Sequence, residues 1–246
     1  MMRKLLLTAF GAAVLTSAAI AQTSPPLLSV ARAQVKPERM TEYLEIQKKF
    51  SDAAKKGGAS FRYVLRGSMG NPYEVVTISP MDSYAERDGE SILLKGMTAA
   101  ESASLVARRS QCTISVRTTV ERTLPDISLP TNMPVPKMVR EVRTRVRTGM
   151  QNQYMALVKS DLLPALKKMD VKVFRMRQVQ FGGSRVEFTS AIPMEKWSEL
   201  DGQATRLENT MGKDAYAKYS EKLNSMVASS EYIIFTVVAD SSYRNP

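Results

Sequence analysis

The sequence predicts an α+β chain in which one order of elements, strand–helix–strand–strand–helix–strand (βαββαβ), occurs twice. Three observations carry that expectation. A ten-residue motif recurs at an offset of 113 positions, as Pro80–Gly89 (PMDSYAERDG) and Pro193–Gly202 (PMEKWSELDG). Weaker matches keep offsets of 111 to 113: Val30–Val35 over Glu141–Val146, Tyr43 over Tyr154, Lys55-Lys56 over Lys167-Lys168, Phe61-Arg62 over Phe174-Arg175, and Gly70 over Gly182. Within each copy, alternating and helix-spaced apolar residues follow one another in the same order. The copies are expected at residues 27–123 and 137–243, each near the usual domain size. Between them the proline-rich stretch 124–136 (LPDISLPTNMPVP) reads as an extended linker.

Each element has a local reason. SVARAQV and EVRTRVR alternate and predict first strands. Pro37 suits a first helical turn, Met40, Tyr43, Leu44, Phe50 and Ala54 fall at helical spacing, and Gly57-Gly58 ends the helix. Its counterpart runs from about Gln151 to Met169, with Pro164 kinking or restarting it. Two hairpins come next. One joins SFRYVLRGS to YEVVTIS through Met69–Pro72, and the other joins VFRMRQVQ to RVEFTSAI through Phe181–Ser184. Second helical regions begin near Asp82 and Glu195, and the strands TISVRTTVE and EYIIFTVVA close the copies. The segment Gly202–Ser230 is seven residues longer than Gly89–Ser110, about two helical turns. This order describes two tandem ferredoxin-like units, each with helices on one sheet face.

Residues 1–21 read as an export leader rather than as part of the fold. Arg3 and Lys4 precede an apolar run, and Ala19-Ile20-Ala21 supplies the small-x-small cleavage pattern. The expected location is therefore exported, periplasmic or secreted, with no stable membrane insertion after cleavage. Loss of Arg3 and Lys4 takes the formal charge from +11 to +9. The basic residues are scattered through the chain or paired near helix ends, so no nucleic-acid partner is expected.

The absence of histidine from all 246 residues excludes whole chemistries. A Ser/His/Asp triad, a Cys/His pair, a His-ligated zinc and a His-ligated haem all need an imidazole. Cys112 is the one cysteine and reads as a small buried apolar residue. No cofactor or metal site is expected.

Parity along the strands sorts the remaining candidates. Ala31, Ala33 and Val35 share one face, as do Val142, Thr144 and Val146, and these should meet the helices. Arg32 and Gln34, with Arg143 and Arg145, point the other way. Arg62 and Arg175 fall on matched positions, Arg177 shares the face of Arg175, and Glu74 matches Glu187. The face away from the helices is thus polar and rich in Arg, and two units packed face to face would enclose it.

The repeat, the element order and the PMDSYAERDG/PMEKWSELDG motif resemble the dimeric α+β barrel superfamily, which includes antibiotic-biosynthesis monooxygenase-like and NIPSNAP-like domains. The resemblance implies that two units, here in one chain, pack sheet to sheet as an intramolecular dimeric α+β barrel, leaving a monomer. It also implies helix–sheet pockets of the kind in which superfamily enzymes hold aromatic substrates.

Arg32, Arg143 and Arg175 are candidate ligands for an anion, because guanidinium forks suit carboxylate and phosphate. The competing and preferred expectation is that such enclosed charges pair with Glu74 or Glu187. Tyr43, Tyr154, Tyr84 and Trp197 are candidate pocket residues, although aromatics at helical spacing more often form core. The preferred function is a non-catalytic module binding a small organic or anionic molecule or a partner. The alternative is a cofactor-independent oxygenase or isomerase. Pockets filled by side chains would remove the enzyme, whereas a deep pocket with convergent polar groups would favour it.

Overall fold

Leu27–Val35 (β1) opens a computed structural model that describes residues 27–130 and 134–245. The expected leader lies outside the described residues. After β1 come α1 (Met40–Lys56), the hairpin of β2 (Phe61–Met69) and β3 (Glu74–Met81), α2 (Ala99–Cys112) and β4 (Thr113–Thr123). The chain continues through β5 (Met138–Val146), α3 (Gln151–Leu157) and α4 (Leu163–Lys168), and a hairpin of β6 (Arg175–Phe181) and β7 (Glu187–Met194). It ends with α5 (Gln203–Met211), α6 (Lys213–Met226), β8 (Val227–Val237) and the short β9 (Tyr243–Arg244). Between α3 and α4 a π-helical turn, Val158–Leu162, absorbs the break that Pro164 imposes. The stretch expected as a bare linker is partly built in, for Ile127 and Leu129 are buried with Phe174 and Leu166.

All pairings between strands are antiparallel, and they close on themselves. Around the ring the order is β1-β4-β6-β7-β5-β8-β2-β3, with β3 returning to β1 and β9 added beside β2. The expectation of two tandem ferredoxin-like units, each an open sheet packed face to face on the other, is corrected by this closed eight-stranded barrel. Its two joins run edge to edge. Strand β4 meets β6 from Val120↔Phe181 to Thr123↔Arg177, and β2 meets β8 from Leu65↔Val237 to Met69↔Ile234. The physical reason lies in the backbone. An open sheet leaves a row of unpaired N–H and C=O groups at each edge, and closure satisfies them. Alternation along a strand states which face is enclosed but not whether sheets stack or join.

Helices cover the outside of the barrel. Ala33, Val35, Val64 and Val75 meet Tyr43, Ile46 and Phe50 of α1 and Leu105 and Cys112 of α2. On the other side Val146, Met176 and Phe188 meet Tyr154, Leu163 and Leu166. Inside, Leu28, Val30, Leu65, Val76, Ile233 and Phe235 form an apolar layer.

Next to that layer stands a network of six charges. Glu141 is fully enclosed between Arg143 at 2.8 Å, Arg177 at 3.0 Å and Arg32 at 3.6 Å, the last reaching from β1 across the interior. Glu121 meets Arg32 at 2.8 Å and Arg177 at 3.2 Å and accepts from the Thr119 hydroxyl. Arg143 grips Glu74 of β3 with both terminal nitrogens, at 2.9 and 3.1 Å, and lies over the Phe235 ring. Burial alone would raise the pKa of Glu141. The guanidiniums of Arg32, Arg177 and Arg143 outweigh it and hold the group at about 2. Glu121 is lowered from its ordinary value by the same opposition, burial being overcome by Arg177 and Arg32.

Glu141→Gln removes one carboxylate from among three guanidiniums and is expected to cost about 3–5 kcal/mol in urea denaturation. The acid limb provides a second readout. With the folded pKa near 2 and the unfolded value near 4.5, the carboxylate contributes fully above pH 4.5, and that contribution fades as pH falls toward 2. The Gln variant lacks that part of the acid dependence, and an unchanged midpoint at neutral pH would contradict the assignment.

Candidate functional site

The two helix–sheet interfaces differ. In the first, Tyr43 is 3% exposed and packs with Phe50, Leu93 and Met97, so side chains occupy the space. Residues 91–98 lie directly on the end of α1. A Cβ on Gly96 would stand 1.9 Å from the Ala53 carbonyl oxygen, and one on Gly57 would stand 2.1 Å from that of Ile92. Only glycine allows those backbone approaches.

In the second interface a cavity of about 840 Å³ lies between the barrel wall and α3, α4, α5 and α6. That size falls in the range of small-molecule pockets. The longer segment before β8 builds it. Gly212, at φ 86°, separates α5 from α6, and α5 brings Arg206 and Leu207 to the cavity. Val142, Ile192, Ile234, Leu166 and Leu223 give apolar walls, and Met69 and Tyr232 are largely exposed at the lining.

Polar groups converge on this space. Arg140, Thr144, Tyr154, Ser190, Tyr219 and Tyr232 all line it. Burial pushes the Tyr154 hydroxyl up, partly offset by its hydrogen bond with Thr144, and burial pushes Tyr219 up further. Both phenols are therefore held neutral, as donors. The carboxylates of the lining are already engaged. Asp170 pairs with Lys172, Glu195 with Lys137 at 3.9 Å, and Glu199 accepts from the backbone N–H groups of Glu195 and Lys196 at 2.8 and 2.9 Å.

Arg140 is the exception. Its Nε is buried without a hydrogen-bond partner, and it forms no ion pair among the described residues. Burial lowers its pKa, Arg206 adds to that, and Tyr232 opposes it. An arginine still keeps its proton. What remains is a partly desolvated cation facing an open, mostly apolar space, a natural counterpart for a delocalised or carboxylate anion.

The candidates from sequence separate accordingly. Arg32 and Arg143 are consumed by the interior network, as the pairing expectation held, but through Glu121 and Glu141 as well as Glu74. Glu187 pairs instead with Arg117 and Arg145. Arg62 and Arg175 do not occupy matched positions. Tyr63 pairs with Ile78 and Arg175 with Ala191, so Arg62 falls on the helix side and Arg175 on the barrel side. Arg62 gives its guanidinium protons to Gln47, Ser51 and Ser79 at 2.8, 3.1 and 2.9 Å, and burial lowers its pKa to about 10. Arg175 lines a second, smaller cavity at one barrel end. Tyr154 lines the large cavity, with its ring 5.0 Å from that of Phe188. Tyr84 and Trp197 are 42% and 45% exposed on short 3-10 turns and line neither cavity. Arg140, Tyr219 and Tyr232 were missed by the sequence reading. The signal for Arg140 was present, since it shares the parity of Val142 and Thr144, the face assigned to the helices. Among the described residues no cluster of acidic or sulfur ligands is placed to hold a metal.

No protein-family model and no curated protein matches the chain. Solved structures do. A "putative monooxygenase" from Lactobacillus acidophilus superposes with a TM-score of 0.60 at 10% identity, over 90% of this chain and 97% of that one. One of the same description from Fusobacterium nucleatum gives 0.60 at 11%, over 90% and 95%. An anthrone oxidase-like protein gives 0.60 at 15%, over 86% and 91%. At such identities the likeness is one of fold alone.

Arg140→Met replaces the unpartnered guanidinium with an apolar chain of similar length. The expected result is a gain of about 1 kcal/mol in urea denaturation, since an unsatisfied buried group is removed. A loss of that size would reveal a structural partner for Arg140.

Proposed function

We propose that this protein is a cofactor-independent oxygenase whose substrate, a planar phenol or enolisable aromatic ketone, binds in the second helix–sheet cavity. The observation that carries the reading is Arg140, whose buried Nε has no hydrogen-bond partner and which forms no ion pair among the described residues, in an open cavity of about 840 Å³. A non-catalytic binding module would also use that cation. The fold shared with proteins described as monooxygenases and as anthrone oxidase-like supports the catalytic reading. So does the convergence of Thr144, Tyr154 and Tyr219 on the same space.

The chemistry follows from what the lining offers. The neutral Tyr hydroxyls donate hydrogen bonds, and the carboxylates are tied to other groups, so the substrate itself must be the acid. Arg140 lowers the cost of ionising a bound phenol or enol, because the anion forms beside a guanidinium in a desolvated space. Such an anion carries electron density on its ring carbon and can pass electrons to dioxygen. For a methylene made acidic by an aromatic ketone, as in anthrone where it lies between two aryl rings that carry the carbonyl, the balance is RR′CH2 + O2 → RR′C=O + H2O, in which carbon is oxidised and dioxygen reduced. In this proposal Tyr154 and Tyr219, both in the cavity lining, donate hydrogen bonds to the developing peroxide oxygens.

Two further features belong to this proposal. The tandem arrangement supplies both halves of the barrel from one chain, which makes a monomer the working state. Arg3, Lys4 and the apolar run after them direct export.

Dioxygen consumption with anthrone as substrate tests the reading. Acceleration over the buffer rate is expected, with loss of about a hundredfold in kcat/KM for Arg140→Met, the scale of one electrostatic donor at a developing anion. If anthrone and related enolisable phenols are oxidised no faster with the protein than without it, the oxygenase reading fails.

A further inference from the structure

The large helix–sheet cavity carries a second cation. Arg206 lines it from α5, in the helix layer, as Arg140 lines it from the barrel wall. Arg140 is half-buried and Arg206 exposed, so the two mark the inner and the solvent side of one space. Arg206 is held in place. Its guanidinium donates to the Glu199 backbone carbonyl at 2.9 Å, and its own carbonyl accepts from the Thr210 hydroxyl at 2.7 Å. The first bond uses one of five N–H donors. Arg206 forms no ion pair among the described residues, and the Asp170 and Glu195 carboxylates of the lining pair with Lys172 and Lys137 instead.

Two further features bear on this cation. Arg206 adds to the lowering of the Arg140 pKa, so the two guanidiniums feel each other across the cavity as like charges. It also arrives with the element that opens the space, for α5 precedes α6 in the longer segment, whereas the first copy has α2 as its one α-helix between β3 and β4. The volume leaves room for what a second cation would hold. A dry cavity of about 150 Å³ takes one benzene ring. At about 840 Å³ this one accommodates a fused-ring body and a substituent besides.

We infer that the substrate carries a second acidic group, a carboxylate, which Arg206 binds at the solvent side while the ionising phenol or enol lies by Arg140. The inference rests on the oxygenase reading for the place of the substrate and adds its class, an aromatic acid rather than a neutral ketone. Arg206 touches the carboxylate and not the reacting atoms, so it selects the substrate and does not activate it.

Calorimetric titration of the full chain under anaerobic conditions tests this, with 6-hydroxy-2-naphthoate and its carboxylate-free match 2-naphthol. The naphthoate is expected to bind about fivefold more tightly, the upper scale of an exposed charge pair, and the advantage shrinks as salt is added. In Arg206→Gln the two ligands are expected to bind alike, and the urea midpoint of that variant reports that it is folded. In Arg140→Met both bind more weakly and their ratio persists. Equal binding of the two ligands by the unaltered protein would overturn the inference. So would an advantage that survives in Arg206→Gln, or absence of binding by both at millimolar concentration. Anthrone has no carboxylate and the titration involves no turnover, so loss of the naphthoate preference leaves the oxygen assay untouched, and failure of that assay leaves the preference to be read by itself.

Discussion

A single enclosed carboxylate, Glu141, organises the barrel. It sits on β5, yet its partners come from β1, from β6 and from its own strand. Alone in that interior it would be neutral or destabilising, because burial of an isolated charge costs several kcal/mol. With three guanidiniums around it, ionisation is favoured, and the partners are drawn to one point near the axis. Arg32 and Arg177 also share Glu121, and Arg143 extends the set to Glu74 on β3. Strands distant around the ring are therefore tied through the middle, and their backbones close edge to edge. A hydrophobic interior would bind as strongly, but it would not specify which strands lie opposite each other.

That use of the interior moves function outward. With Arg32, Arg143 and Arg177 neutralised by carboxylates, the most Arg-rich face of the chain is mostly structural. In the proposed function the ligand chemistry falls instead on the helix-facing surface, at its second side. On the first side Gly57 and Gly96 let residues 91–98 press onto α1, and apolar side chains fill what remains. On the second side the longer segment forms α5 and α6, which stand off the wall and leave room. Arg140 therefore retains a charge that no carboxylate among the described residues pairs with. Its desolvation makes it an effective partner for an anion that forms in place, and the same feature costs stability in the free protein.

Several of these relations were legible in the sequence. Strand parity put Arg32, Arg143 and Arg177 on the face away from the helices, and of the pairings expected there Arg143 with Glu74 forms, whereas Arg32 meets Glu121 and Glu141 and Glu187 pairs elsewhere. The seven extra residues before β8 marked the segment that builds the open cavity. Other relations were not legible. Stacked sheets and a closed ring bury the same alternating residues, so the pattern along β1 or β5 could not distinguish them. Matching Phe61-Arg62 with Phe174-Arg175 erred by one position, and in a strand one position reverses the face, which is why Arg62 and Arg175 have opposite surroundings. Tyr43 and Tyr154 occupy matched sequence positions, and only their neighbours make one a core residue and the other a wall of the cavity. That difference rests on glycine contacts and helix spacing that no single residue announces.

The central claim is that Arg140 awaits an anion, whereas Arg32, Arg143 and Arg177 are already paired with carboxylates. NMR of the arginine side-chain Nε–H groups measures this directly, in the free protein and with added anthrone under anaerobic conditions. The account predicts that the Arg140 signal shifts and gains protection from exchange on binding, while those of Arg32, Arg143 and Arg177 stay in place. A free-state Arg140 signal already protected and unmoved by ligand, or a shift confined to the interior arginines, would contradict it.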